Sequence, residues 1–172
     1  MIYNIGTYGF RNGSKGTGSA DRTEFTHNTV YGIAGHAISI QKGEHLKITH
    51  NILSNYTGVA IEFMNHARCQ SSGRKCKITR ETKAFHQNSH EINSNLFWQG
   101  APSGSIATWF SHKTKLTLSD WQQVTGGYDG QSIYADPEFV GAKNGQFVLR
   151  DGSVANRKMA GVTFGYRPPN SP

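Results

Sequence analysis

Cysteine is nearly absent from this chain: Cys69 and Cys76 are the only two in 172 residues, which excludes a disulfide framework. Long apolar runs are missing as well, and no stretch approaches the roughly 20 residues that a membrane-spanning helix requires. The opening Met1-Ile2-Tyr3-Asn4 lacks the charged-then-apolar layout of a signal peptide. Acidic residues are few, 11 against 18 Lys and Arg, and the formal charge of +7 favours polyanions such as acidic polysaccharide, nucleic acid or anionic lipid. Scattered Lys and Arg that merely keep the chain soluble are the plainer explanation of the same number. No helix-turn-helix, zinc-finger or aromatic-on-sheet pattern accompanies the charge, so nucleic acid is disfavoured as a partner. Hydrophobic residues (35 %) and charged residues (17 %) are both sparse for a compact protein. Disorder does not follow, because nine Phe, seven Tyr and three Trp are spread along the chain with many Val and Ile.

What is abundant is Gly, 20 residues, together with Asn, Ser and Thr, the composition of an all-β chain with many tight turns. An internal repeat accounts for it. Glu24-Phe25-Thr26-His27-Asn28-Thr29-Val30, running on to Ala37-Ile38-Ser39-Ile40, aligns without gaps on Leu46-Lys47-Ile48-Thr49-His50-Asn51-Ile52, running on to Val59-Ala60-Ile61-Glu62-Phe63. A third copy, Glu91-Ile92-Asn93-Ser94-Asn95-Leu96-Phe97, leads to Ile106-Ala107-Thr108-Trp109-Phe110. Asn28 and Asn51 are 23 residues apart, Asn51 and Asn95 are 44 apart, which reads as twice 22, and Asn4 precedes Asn28 by 24. Within each copy the apolar residues alternate with period two, as strands do. A unit this short cannot bury its apolar face alone, so the copies must stack, with the asparagines linked in one column and Ile38, Ile61 and Ile106 in the core. The same alternation places His27 and His50 inward beside Phe25 and Ile48, one repeat apart. Two neighbouring histidines have the chemistry to share a metal, but a hydrogen-bonded structural role is preferred.

These segments, with Gly35-His36-Ala37-Ile38 and Gly58-Val59-Ala60-Ile61 as the turn-and-strand halves, resemble the right-handed parallel β-helix repeat family, the pectate-lyase-like superfamily. Asp136-Pro137-Glu138-Phe139-Val140, then Gly145-Gln146-Phe147-Val148-Leu149 and Gly152-Ser153-Val154-Ala155, is similar to the closing segment of bacterial members. The resemblance covers most of the chain outside residues 65–90 and implies one all-β domain over 1–172, a solenoid of few coils. Its coils would occupy 1–63 and 91–114, with a closing segment at 115–172. Residues 64–90 are expected as a long insertion rather than a further irregular coil. Ser119 is expected to cap a short helix with Gln122 as its capping-box partner, and Gly126-Gly127 to end it. Because the column starts at residue 4 without a cap, the chain is expected to self-associate or to continue a longer solenoid. A family member would be extracellular or periplasmic.

The resemblance also implies where ligand would lie: along the strands 37–41, 59–63 and 106–110 that follow the Gly turn. There Ser39, Glu62 and Ala107 are expected to point outward, with Gln41, Met64 and Trp109 in the next outward column and His36, His66 and His112 near the strand ends. Glu62 is the one acidic residue of these strands, a candidate general acid or base, with His66 and Arg68 for proton transfer and for neutralising a uronate. Trp109 would stack on a sugar ring, and His36, Ser39, Gln41 and His112 would complete the binding surface. One carboxylate is too few for a calcium-dependent lyase site or for two-carboxylate hydrolysis, so no metal or cofactor is expected. Cys69 and Cys76 lack the further ligands that zinc needs. The expected function is therefore carbohydrate-directed, binding acidic polysaccharide or acting on it as a lyase, hydrolase or epimerase would. The alternative is a non-catalytic glycan-binding or assembly module.

Overall fold

The structure is a computed structural model, and it describes residues 1–12, 21–40, 44–63, 90–108 and 114–156. Over these residues the chain is mostly β. The strands are β1 (Ile2–Ile5), β2 (Tyr8–Asn12), β3 (Glu24–Thr26), β4 (Thr29–Ile33), β5 (His36–Ile40), β6 (Lys47–Thr49) and β7 (Ile52–Tyr56). There follow β8 (Ile61–Phe63), β9 (Glu91–Asn93), β10 (Leu96–Trp98), β11 (Ala107–Thr108), helix α1 (Leu118–Thr125), β12 (Ile133–Tyr134), β13 (Phe139–Val140) and β14 (Val148–Leu149). Three sheets are parallel throughout: β1-β4-β7-β10-β12, β2-β5-β8-β11 and β3-β6-β9. The chain visits them in turn, so each strand up to β8 pairs with the one three places on, and β10 pairs with β12. β13 and β14 form a separate antiparallel pair.

The repeat found in the sequence is the register of these sheets. Phe25 pairs with Ile48, Thr29 with Ile52 and Ile38 with Ile61, each 23 residues on. Like stacks on like as a result: Phe25, Ile48 and Ile92 form one buried column, and Val30, Leu53 and Phe97 another. Each such side chain withdrawn from water contributes about 1.5–3 kcal/mol. The step from Ile48 to Ile92 spans 44 residues, yet β6 and β9 are direct neighbours. It is therefore a single rung, not two of 22.

The asparagine column forms at the turn between the β3-β6-β9 sheet and its neighbour. The Asn28 N–H donates to Asn51 Oδ1 at 2.9 Å, and the Asn51 N–H and Nδ2 donate to Asn95 Oδ1 at 3.1 and 3.0 Å. Asn51 Nδ2 also reaches Phe25 O at 2.8 Å, and Asn95 Nδ2 reaches Ile48 O at 2.9 Å. Only a side chain with donor and acceptor on one planar group can link rungs in this way. Asn4 does not belong to this column. β1 pairs with β4 at Ile2–Val30 and Ile5–Ile33, a step of 28 that puts Asn4 beside Gly32 inside the sheet. There Asn4, Gly32 and Asn55 all take the left-handed conformation, φ 54, 67 and 54°. A Cβ on Gly32 would lie 2.6 Å from Asn4 Oδ1, so glycine is required for the closeness as well as the angle.

Helix α1 begins two residues earlier than expected. Its N-cap is Thr117, whose hydroxyl accepts from the Asp120 N–H while the Asp120 carboxylate accepts from the Thr117 N–H. Ser119 is already helical, and the Gln122 side chain donates to Asp129 O at 2.7 Å rather than closing a capping box. The expected stop holds, since Gly126 is the left-handed C-cap. Trp121, the helix's one buried residue, stacks on Phe63 at 5.6 Å. The C-terminal segment covers the outer face of the five-stranded sheet, where Ile52, Leu96 and Ala155 form a second core with Phe139 and Leu149. Among the described residues, no comparable segment covers the outer faces of the other two sheets.

Candidate functional site

The outer face of β2-β5-β8-β11 gathers three of the residues singled out from the sequence. Ser39 and Glu62 are register partners one rung apart, and His36 opens β5. Ser39 Oγ donates to Glu62 Oε2 at 2.8 Å, and His36 Nε2 stands 3.3 Å from Glu62 Oε1. The other imidazole nitrogen is also engaged, because the Val59 N–H donates to His36 Nδ1 at 3.1 Å. Accepting at Nδ1 fixes the tautomer, with the ring proton on Nε2 facing the carboxylate. Gly58 permits this approach: a Cβ there would lie 2.6 Å from His36 Nδ1 and 2.8 Å from Gly35 O. The His36 and Glu62 side chains retain 25 % and 19 % exposure, so the cluster is set into the surface but open to solvent.

Two residues that the sequence reading missed complete the face. Register places Tyr8 beside His36 and Arg11 beside Ser39. The Tyr8 ring stacks on His36 at 6.0 Å and 22°, and the Arg11 guanidinium lies 5.0 Å over Tyr8. They were overlooked because this rung steps by 28 residues rather than 23, so β2 does not align with the later copies. The third rung also differs from expectation. Ala107 pairs with Ile61 and is fully buried, and it is Thr108 that stands beside Glu62. Ile106, still in the core, occupies the place of Ala60 one residue before the strand, which moves the whole strand by one position. Ser39 is outward by register yet has no exposed surface, being covered by its neighbours. Gln41, Met64, His66, Arg68, Trp109 and His112 lie outside the described residues, as do Cys69 and Cys76.

The chemistry available to the cluster is limited. Ser39 donates to the Glu62 carboxylate and not to an imidazole, so it does not make the Ser–His pair of a hydrolase nucleophile. His36 has both nitrogens occupied. Glu62 is the sole carboxylate on this face among the described residues, which does not meet the two-carboxylate requirement of glycoside hydrolysis. What the cluster does supply is a fixed acceptor, an aromatic ring and a guanidinium side by side.

His27 and His50 do stack, with ring centres 4.8 Å apart and planes within 7°. They do not point inward. Both are left-handed turn residues, φ 55 and 59°, and that conformation resets the alternation, leaving His27 exposed and His50 half-buried. Parallel rings direct their nitrogen lone pairs side by side instead of toward one point. Among the described residues no group of three or more His, Cys, Asp or Glu is placed to hold a metal ion. The β3-β6-β9 face carries a cross-strand charge ladder, Glu24–Lys47–Glu91, with Lys47 Nζ 3.2 Å from Glu91. His90, beneath it, is lowered to about 4 by burial and by His45 nearby, and its Nδ1 accepts from the Leu46 N–H.

All-β architecture with parallel sheets, bearing a polar cluster on one outer face, is the class that these observations define. Protein-family models, curated proteins and solved structures provide no match to the chain. No helix of the described residues is long and apolar enough to cross a membrane.

Proposed function

We propose that this chain is a right-handed parallel β-helix of the pectate-lyase-like kind that binds acidic polysaccharide along the outer face of β2-β5-β8-β11. The solenoid reading rests on the rotation of the chain through three parallel sheets at a 23-residue step and on the asparagine column that links its rungs. One observation carries the ligand reading: Glu62, held by His36 and Ser39, shares its face with Arg11 and Tyr8. A carboxylate fixed by two partners accepts from sugar hydroxyls, and a guanidinium pairs with a uronate carboxylate in bidentate fashion. Tyr8 adds an aromatic surface beside them, and the net charge of +7 attracts the polymer at long range.

Binding is the function proposed, and catalysis is decided by experiment. Purified protein is incubated with a panel of uronate and neutral polysaccharides while ultraviolet absorbance of unsaturated products and new reducing ends are followed. Retention by uronate polymers with neither product supports a binding module. Unsaturated product would make the chain a lyase acting through Glu62 or a residue near it, and no interaction with any polymer would overturn the reading.

A second reading, an assembly module, has its own support. Among the described residues β1, β2 and β3 are each the outermost strand of their sheet, and Met1 and, in β1, Tyr3 and Ile5 are exposed. Open strand edges pair readily with other chains. Mass measured against concentration tests it: growth with concentration favours self-association through this end, and a constant monomer mass excludes it.

A further inference from the structure

The asparagine column ends on a different chemistry. Where the rung after Asn95 would supply another amide, the chain supplies Asp129, fully buried and left-handed at φ 56°. Asn95 Nδ2 donates to Asp129 Oδ1 at 3.0 Å, as Asn51 Nδ2 donates to Asn95 one rung earlier. The Asn95 N–H, whose counterpart at Asn51 goes to the next asparagine, goes here to Ser132 Oγ at 2.7 Å. Asp129 then departs from the pattern. Its Oδ2 accepts from Trp121 Nε1 at 2.8 Å, and its Oδ1 also accepts from the Ser132 hydroxyl. Its N–H donates to Ile92 O at 2.7 Å, and its carbonyl accepts from Gln122 Nε2.

One side chain therefore ties the last rung, helix α1 and the approach to β12 together. A carboxylate suits the position because all three side-chain partners are donors, whereas an amide would turn its own N–H₂ toward one of them. Eight residues are too few to be stable alone, and α1 buries Trp121 fully, with Leu118 and Val124 partly buried against the same core.

We infer that Asp129 is a latch that keeps α1 docked over the end of the stack, and that its release lets residues 117–128 lift away as a unit while the rungs behind remain folded. Lifting would uncover Phe63, on which Trp121 stacks. It would also free His90, which faces Tyr128 at 6.4 Å. The latch is thus a conformational device independent of the polysaccharide face.

Hydrogen exchange resolved by peptide, on wild type, Asp129→Asn and Trp121→Phe, tests the latch. Trp121→Phe keeps an aromatic ring over Phe63 while removing the Nε1 donor and part of the indole volume, so it carries the test even if Asp129→Asn folds poorly, and the double variant separates the lost bond from the cavity. Loss of a buried hydrogen bond to a charged group speeds opening roughly ten- to a hundredfold. The expected result is exchange in 118–125 accelerated by that factor in both variants, with 52–56 unchanged, and a double variant no faster than the faster single one. Unchanged exchange in 118–125, or acceleration there that 52–56 matches, would overturn the latch.

Discussion

Two polar networks in this molecule are assembled in the same way and end differently. The Asn28, Asn51 and Asn95 column and the His36, Ser39 and Glu62 cluster both join residues one rung apart on successive turns of one repeat. In the column, Asn51 and Asn95 have no exposed surface, and their amides are spent on neighbouring rungs. In the cluster, Glu62 and His36 stay partly open to solvent. A closed network stabilises and has nothing left to offer. An open one, held as firmly by Val59 and Ser39, keeps acceptor capacity for something outside the chain.

Breaking the closed network should have the larger effect on folding. Asn51→Ala removes the side-chain partners of the Asn28 N–H and the Phe25 carbonyl and leaves the Asn95 side-chain oxygen only the residue-51 N–H, at a cost of about 3 kcal/mol. Urea unfolding should show this as a lower midpoint at constant slope, and a midpoint equal to wild type would deny the column its role. Gly58→Ala attacks the support of the open network instead. The new methyl meets His36 Nδ1 and the Gly35 carbonyl, so the imidazole must leave the Val59 N–H, with a stability loss of about 1–3 kcal/mol. Its mark should be on ligand retention well before it is on folding, and an unaltered His36 environment by NMR would show that Gly58 does not matter.

The effect that is smallest at neutral pH separates either network from the ordinary acid sensitivity of the fold. His90 falls to about 4 because burial and His45 disfavour its charged form, while an unfolded histidine titrates near 6.5. The folded chain binds fewer protons across that window, so the stability due to neutral His90 is present above about 6.5 and is lost as pH falls toward about 4. His90→Asn keeps an acceptor for the Leu46 N–H and removes the titration, and it should flatten the stability profile over that range. A profile as steep as wild type would place the acid sensitivity elsewhere.

Much of this was legible from residues alone, and the failures share a cause. Repeats betray register where the step is constant, so Phe25 over Ile48, Ile38 over Ile61 and Ser39 over Glu62 could be read directly. Where the step changes, the arithmetic misleads. The 28-residue first rung hid Tyr8 and Arg11 and drew Asn4 into the wrong column, and the shifted third rung put Ala107 in the place of Thr108. His27 and His50 were misplaced for another reason: period-two alternation assumes extended backbone, and both take left-handed turns. The tie from Asp129 to Trp121 left no trace in the repeat, because it fastens the repeat to a helix outside it.

Arg11 and Glu62 are the residues through which we propose that the outer face of β2-β5-β8-β11 binds acidic polysaccharide. Affinity electrophoresis in gels containing a uronate polymer or a neutral one, with wild type, Arg11→Ala and Glu62→Gln, tests it most directly. The account predicts retardation of wild type by the uronate polymer alone. It predicts at least about tenfold weaker binding for either variant, the scale of one charge-assisted contact, with melting temperatures near wild type. Equal retardation of all three proteins, or none of any, would contradict it.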